Sequence, residues 1–267
     1  MARPTILMFD SGLGGLTVFR EIVAARPDAN FIYAADDAFF PYGSHGEREL
    51  VARIVPLMGD LIARLAPDLI VIACNTASTL VLPELRARYA VPFVGTVPAI
   101  KPACAGSITK RIAVLGTEAT VRREYTMALI RDFAQGCAVD LVGSARLASL
   151  AEEALREQPV GDAAIAAEIA PCFRDGDARR TDTVVLACTH FPLLLDRITR
   201  LAPWPVAWID PAPAIARRVV DLIGPAPPKA GPGAARALFT SEKPVGPALG
   251  QALARFGIAT GAGAPAI

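Results

Sequence analysis

The chain has 267 residues, 53% of them apolar and 20% charged, and a net charge of +1. Such a composition can fill a sizeable core and excludes an intrinsically disordered chain. The near-neutral charge, with no basic stripe, argues against nucleic acid as a partner, and apolar runs of strand length only argue against a membrane span.

In chain order, short apolar runs alternate with amphipathic stretches. Residues 5–9 predict a strand that runs into the turn Asp10-Ser11-Gly12-Leu13-Gly14-Gly15. Too little precedes it for a signal peptide, so a cytoplasmic protein is expected. Residues 14–25 predict a helix and 31–34 a second strand, followed by the loop Pro41-Tyr42-Gly43. Residues 44–65 predict a long helix opened by a capping box, with Ser44 as the cap and Glu47 three residues on. A buried strand over 69–73 and a helix over 82–89 follow. The series continues with strands at 111–115, 139–142, 183–187 and 206–209. After a loop rich in Pro, Gly and Ala at 224–233 come a strand at 237–240, a last helix at 247–256 and a flexible tail at 259–267.

This βαβα order argues for parallel sheets covered by helices on both faces. The pattern breaks near 96–98 and again near 210–213. Two similar α/β domains with parallel sheets flanked by helices are therefore expected, one of residues 1–98 plus 210–267 and the other of residues 99–209. The active site is expected in the cleft between them.

Ligands of parallel α/β sheets bind at the carboxyl ends of the strands. Two of those ends are alike: residues 70–76 read Ile-Val-Ile-Ala-Cys-Asn-Thr and residues 184–190 read Val-Val-Leu-Ala-Cys-Thr-His. A thiol at a strand-to-helix turn lies near backbone N–H groups that favour the thiolate. Asn75, Thr76 and Thr189 are neutral donors suited to a carboxylate. Asp10 can orient a substrate ammonium or tune a thiol, and the 11–15 turn offers N–H groups to an anion. His190, two residues beyond Cys188, can carry its proton. Two opposed thiols in an amino-acid-sized cleft predict a 1,1-proton transfer. One thiolate removes the α-proton and the other thiol returns a proton to the opposite face.

Bland readings cover the rest. Cys104, Cys137 and Cys172 have no polar turn beside them and read as packing residues. His45 reads as solvated surface, and Thr117 as the cap of the helix after it. Five cysteines without a C-x-x-C pair, and only two histidines, propose neither a disulfide framework nor a metal site. Lys101, Lys110, Lys229 and Lys243 all lie outside the polar turns, which disfavours a pyridoxal phosphate Schiff base.

Taken together, Asp10-Ser-Gly-Leu-Gly-Gly-Leu, Pro41-Tyr-Gly, Cys74-Asn-Thr-Ala-Ser and Cys188-Thr-His-Phe-Pro-Leu-Leu resemble the glutamate racemases of the aspartate/glutamate racemase superfamily. The similarity runs from about Thr5 to about Asp221. It implies two α/β domains, no cofactor, and interconversion of L- and D-glutamate to supply peptidoglycan, with a homodimer expected. It implies acid/base roles for Cys74 and Cys188, with catalytic support from Asp10 and His190. Substrate contacts would come from Asp10, Ser11, Pro41, Tyr42, Gly43, Asn75, Thr76, Thr189 and His190. Thr117 and Thr120 resemble a further carboxylate-holding segment, and Glu152 resembles a family glutamate near the site. Two departures stand out: Val142-Gly-Ser-Ala-Arg replaces a Cys-Pro step, and Asp210-Pro-Ala replaces an acidic-Ser-Gly turn. The alternatives are an aspartate or hydantoin racemase, a catalytically silent binding or regulatory protein on the same fold, and a Cys-His hydrolase built on Cys188.

Overall fold

The computed structural model describes residues 3–176, 179–228 and 230–259. In chain order the elements are β1 (Thr5–Asp10), α1 (Leu16–Ala25), β2 (Asn30–Ala35), α2 (Glu47–Leu65), β3 (Leu69–Ile72), α3 (Asn75–Arg88), β4 (Phe93–Gly95), α4 (Ile100–Gly106), β5 (Arg111–Thr117), α5 (Glu118–Arg122) and α6 (Glu124–Phe133). There follow β6 (Ala138–Ser144), α7 (Leu147–Leu155), α8 (Asp162–Ile169), β7 (Asp175–Gly176), β8 (Arg179–Arg180), β9 (Thr183–Ala187), α9 (Leu195–Leu201), β10 (Ala207–Ile209), α10 (Ala212–Ile223), β11 (Ala235–Phe239) and α11 (Pro247–Arg255).

These strands form two parallel sheets, ordered β11-β2-β1-β3-β4 and β10-β9-β5-β6, with β7 and β8 paired as a small antiparallel ribbon. The chain passes from the first sheet to the second after β4 and returns after β10. Alternation along each central strand explains how helices cover both faces. Ile6 and Met8 of β1 pack into one core with α1, α10 and α11, while Leu7 and Phe9 face the other way into a core with α2 and α3. In β5, Ala113 and Leu115 face α7, α8 and α9, while Ile112 and Val114 face α4. Each such large side chain, fully buried, contributes roughly 1.5–3 kcal/mol.

Register brings the functional ends together. Phe9 aligns with Ala34 and with Ile72, so β1, β2 and β3 end level and deliver Asp10, Asp36 and Cys74 to one edge. In the second sheet Gly116 aligns with Ala187 and Thr117 with Ser144, which places the Thr117 and Cys188 turns side by side.

Some boundaries differ from the expectations. The 44–65 helix starts at Glu47, because Ser44 lies in a tight turn and bonds back to the Pro41 carbonyl. Gly46 is the cap, and Glu49, not Glu47, reaches the Gly46 N–H at 3.4 Å. Gly46 has no side chain to return the bond, so only half of a capping box exists. The helix expected over 82–89 starts at Asn75 instead. Pro83 resembles a helix start in sequence but lies inside α3. Of the tail expected over 259–267, Ala259 bridges to Arg236, and 260–267 fall outside the described residues. No helix among the described residues is long and apolar enough to cross a membrane.

Candidate active site

The turn after β1 carries the first half of the site. The Asp10 carboxylate is fully buried. Its Oδ1 accepts from the Gly12 N–H at 2.9 Å and from the Ser11 hydroxyl at 3.2 Å, while Oδ2 accepts from the Thr189 hydroxyl at 3.0 Å. Asp10 thus ties the first sheet to the turn that follows β9.

The glycines here serve close approach. A Cβ on Gly12 would sit 2.1 Å from Glu152 Oε1, and one on Gly14 would sit 2.3 Å from His190 Nδ1. The Leu13 N–H donates to Glu152 Oε1 at 2.7 Å. The expected anion cradle of the 11–15 turn is therefore filled from within, by the carboxylates of Asp10 and Glu152.

Cys74 sits at the N-cap of α3, its sulfur 3.8 Å from the Ser11 hydroxyl. Burial pushes this thiol up to about 12, and Asp10 adds to the rise; the Ala77 N–H opposes it without prevailing. The lowered pKa expected from the helix terminus is thus overturned by desolvation. The charge of Cys188 raises Cys74 further, so two thiolates at once are disfavoured.

Cys188 is configured differently. Its sulfur lies 3.8 Å from His190 Nδ1, and His190 Nε2 lies 3.0 Å from Glu152 Oε1. The two residues, two positions apart on one turn, face each other here. Burial opposes charge on His190, but the Cys188 sulfur and the Glu152 carboxylate outweigh it and hold the imidazole well above its ordinary value. Burial likewise opposes charge on Glu152, yet its hydrogen bond to His190, the Leu13 N–H and Arg156 keep it below the usual carboxylate range. The Gly14 N–H also approaches Nε2, at 3.1 Å. One nitrogen cannot donate to Glu152 and accept from Gly14. The carboxylate has no proton to give, so Nε2 carries the hydrogen and Gly14 is only a close neighbour. The arrangement sets the Cys188 sulfur against a His190 imidazole whose charged form is favoured.

Neutral donors line another part. The hydroxyls of Thr76, Thr117 and Thr120 form a buried triangle with edges of 3.0, 3.2 and 2.9 Å. Thr117 also accepts from the Thr120 N–H at 3.1 Å, so it caps α5 as well. Asn75 is buried, and among the described residues neither its amide oxygen nor its amide nitrogen has a hydrogen-bond partner. A buried amide left this way costs about 1–3 kcal/mol unless a ligand completes it. Gly43 packs against Thr117, joining the 41–43 loop to the second sheet. The Pro41 carbonyl accepts from the Ser44 hydroxyl. The Tyr42 ring is buried in the first-sheet core, its hydroxyl donates to Asp36 at 2.7 Å, and its carbonyl accepts from the His45 N–H at 3.2 Å.

Sequence reasoning missed the supports of this loop. Asp36, fully buried, accepts from Tyr42, from Arg53 at 2.6 Å and from Thr240 at 2.6 Å. An aspartate one residue past a strand end was the signal available. Replacing Asp36 by alanine is expected to cost about 3 kcal/mol, the low end for breaking a buried ion pair because Arg53 reaches solvent. Urea denaturation checks this, and a loss below about 1 kcal/mol would sink it. Asp210, in the divergent turn, accepts from the N–H of Ala212, the first residue of α10, at 2.9 Å. Cys104 and Cys172 are core residues, as read.

Against known proteins, the model of the Asp/Glu/Hydantoin racemase family matches residues 11–219. The chain belongs to this family. It is 56% identical over 225 residues to a glutamate racemase of Brucella anthropi, covering 84% of this chain and 81% of that one. A glutamate racemase of Mesorhizobium japonicum is 52% identical over 262 residues, 97% and 99% of the two chains. The Escherichia coli glutamate racemase, solved with L-glutamate and the activator UDP-MurNAc-Ala, superposes with a TM-score of 0.86 at 40% identity, over 96% of each chain. This racemase therefore carries its buried thiols on a fold shared with solved amino-acid racemases.

Proposed function

We propose that this racemase interconverts L- and D-glutamate by a two-thiol proton transfer that needs no cofactor, and that it supplies D-glutamate for peptidoglycan in the cytoplasm, as a homodimer. The observation that carries the reading is the unequal state of two like thiols: Cys74 held protonated by burial, Cys188 paired with a charged imidazole. The Cys188 thiolate removes the α-proton from one face. The Cys74 thiol gives its proton to the carbanion from the other. Cys188 then holds a proton and Cys74 is the thiolate, and the reverse reaction restores the start. Because each sulfur's charge opposes the other's, a single thiolate is present throughout. Asn75 and the threonine triangle are neutral donors for a substrate carboxylate, and Asp10 supplies a negative charge for the ammonium.

The test is proton NMR of L-glutamate in deuterated water with no cofactor added. Loss of the α-proton signal together with loss of optical rotation is expected. Exchange with aspartate or a hydantoin, and none with glutamate, would replace the substrate assignment. Silence with all three would favour a binding protein on a racemase fold.

A further inference from the structure

One charged group near the site is left unexplained by the proton transfer. Arg123, in the junction of α5 and α6, is only 5% exposed. The Glu47 carboxylate, at the start of α2 and 67% exposed, forms an ion pair with its Nη1. Beyond that ion pair, neither Nε nor Nη1 has a hydrogen-bond acceptor among the described residues. A guanidinium at such burial is costly unless an anion pairs with it, and the anion that pairs with this one is a largely exposed carboxylate.

The surroundings say which anion and from where. Arg123 lines a solvent-open cavity of about 440 Å³ with Gly43, Glu47, Glu118 and Arg122. Arg122 is already occupied by Glu118 at 3.4 Å. Gly43 forms the wall between this cavity and the threonine triangle, since a Cβ there would lie 3.1 Å from the Thr117 Cβ. Thr120, another corner of the triangle, lies three residues before Arg123 on the same segment and accepts its N–H at 3.4 Å. The group now set against Arg123 is itself a glutamate side chain, largely exposed to water.

We propose that Arg123 is an anion-capture group at the mouth of the cleft, which takes a carboxylate of the incoming dicarboxylic amino acid in exchange for Glu47. Glu47 is then a resident competitor, and the substrate passes from Arg123 to the neutral donors beyond Gly43. A charged guanidinium gathers a carboxylate of the substrate from water. The neutral threonines hold it without retaining it too tightly. This inference rests on a dicarboxylate substrate, the reading given above.

Opposite signs in two variants test it. Arg123→Gln is expected to raise KM for glutamate about tenfold, the equivalent of one charge-assisted hydrogen bond, with kcat changed less than about twofold. Glu47→Gln is expected to lower KM about two- to threefold, because it removes the competitor. A clasp that merely holds the two sheets together predicts the same change in both variants, and that outcome would overturn the proposal. If Arg123→Gln does not fold, Arg123→Lys keeps the charge without the planar fork and should raise KM about threefold. Glu47→Gln, on the surface, decides the sign in any case. Calorimetric binding of glutarate, which cannot racemise, separates the two readings. Tenfold weaker glutarate binding in Arg123→Gln supports capture even if wild type fails to racemise glutamate. Equal glutarate affinity in both proteins would overturn capture even if racemisation is confirmed.

Discussion

Replacing Cys74 or Cys188 by serine is expected to cut racemisation in both directions by at least about 10³-fold, the range attributed to a positioned acid or base. Serine keeps the size but holds its proton far more tightly than a thiol, so it fails as a base in one direction and as an acid in the other. The two variants should differ in isotope exchange. In Cys74→Ser, the Cys188 thiolate with its His190 partner remains, so one enantiomer should still lose its α-proton to deuterated water without inverting. In Cys188→Ser, the remaining thiol is the one burial holds protonated, and exchange should be slower. NMR exchange measured from both enantiomers checks this. Inversion that survives either substitution would rule out a pair of thiols and point to a single base.

Glu152→Gln is the second large effect. Glu152 is the acceptor that keeps His190 charged beside Cys188. With glutamine there, burial is opposed by one partner fewer, and the imidazole pKa falls. A smaller share of His190 is then the charged partner of Cys188, so kcat/KM should drop by on the order of 10²-fold. The sign with pH follows from both shifts. His190 is raised, so the charged pair persists through neutral pH and is lost as pH rises through that raised value. Glu152 is lowered, so the pair is also lost as pH falls through its depressed value. In Glu152→Gln the alkaline loss should move to lower pH. The chain has two histidines, so imidazole titration by NMR reports His190 against a single other signal. An unmoved His190 titration would show that Glu152 does not govern it.

The symmetry of the two strand ends was legible in sequence because strand-length apolar runs and the polar break after Ala-Cys are local features. Those repeats, at 70–76 and 184–190, sufficed for the parallel α/β class and for naming Cys74 and Cys188. The Gly-rich turn was legible as a turn but not for its use. The need for glycine at 12 and 14 comes from Glu152 and His190, which are far away in the chain. The thiol acidities went the same way. A helix terminus is visible in sequence and pulls a thiol down, but burial by both sheets is not visible and prevails at Cys74. Asp36 was missed because its partners Tyr42, Arg53 and Thr240 come from three segments. The sequence by itself determined the element types and the residue chemistry of each turn, which depend on neighbours within a few positions. Tertiary structure alone decided that burial holds Cys74 protonated and that Cys188 faces a charged imidazole, because charge and desolvation depend on what the fold places within a few ångströms.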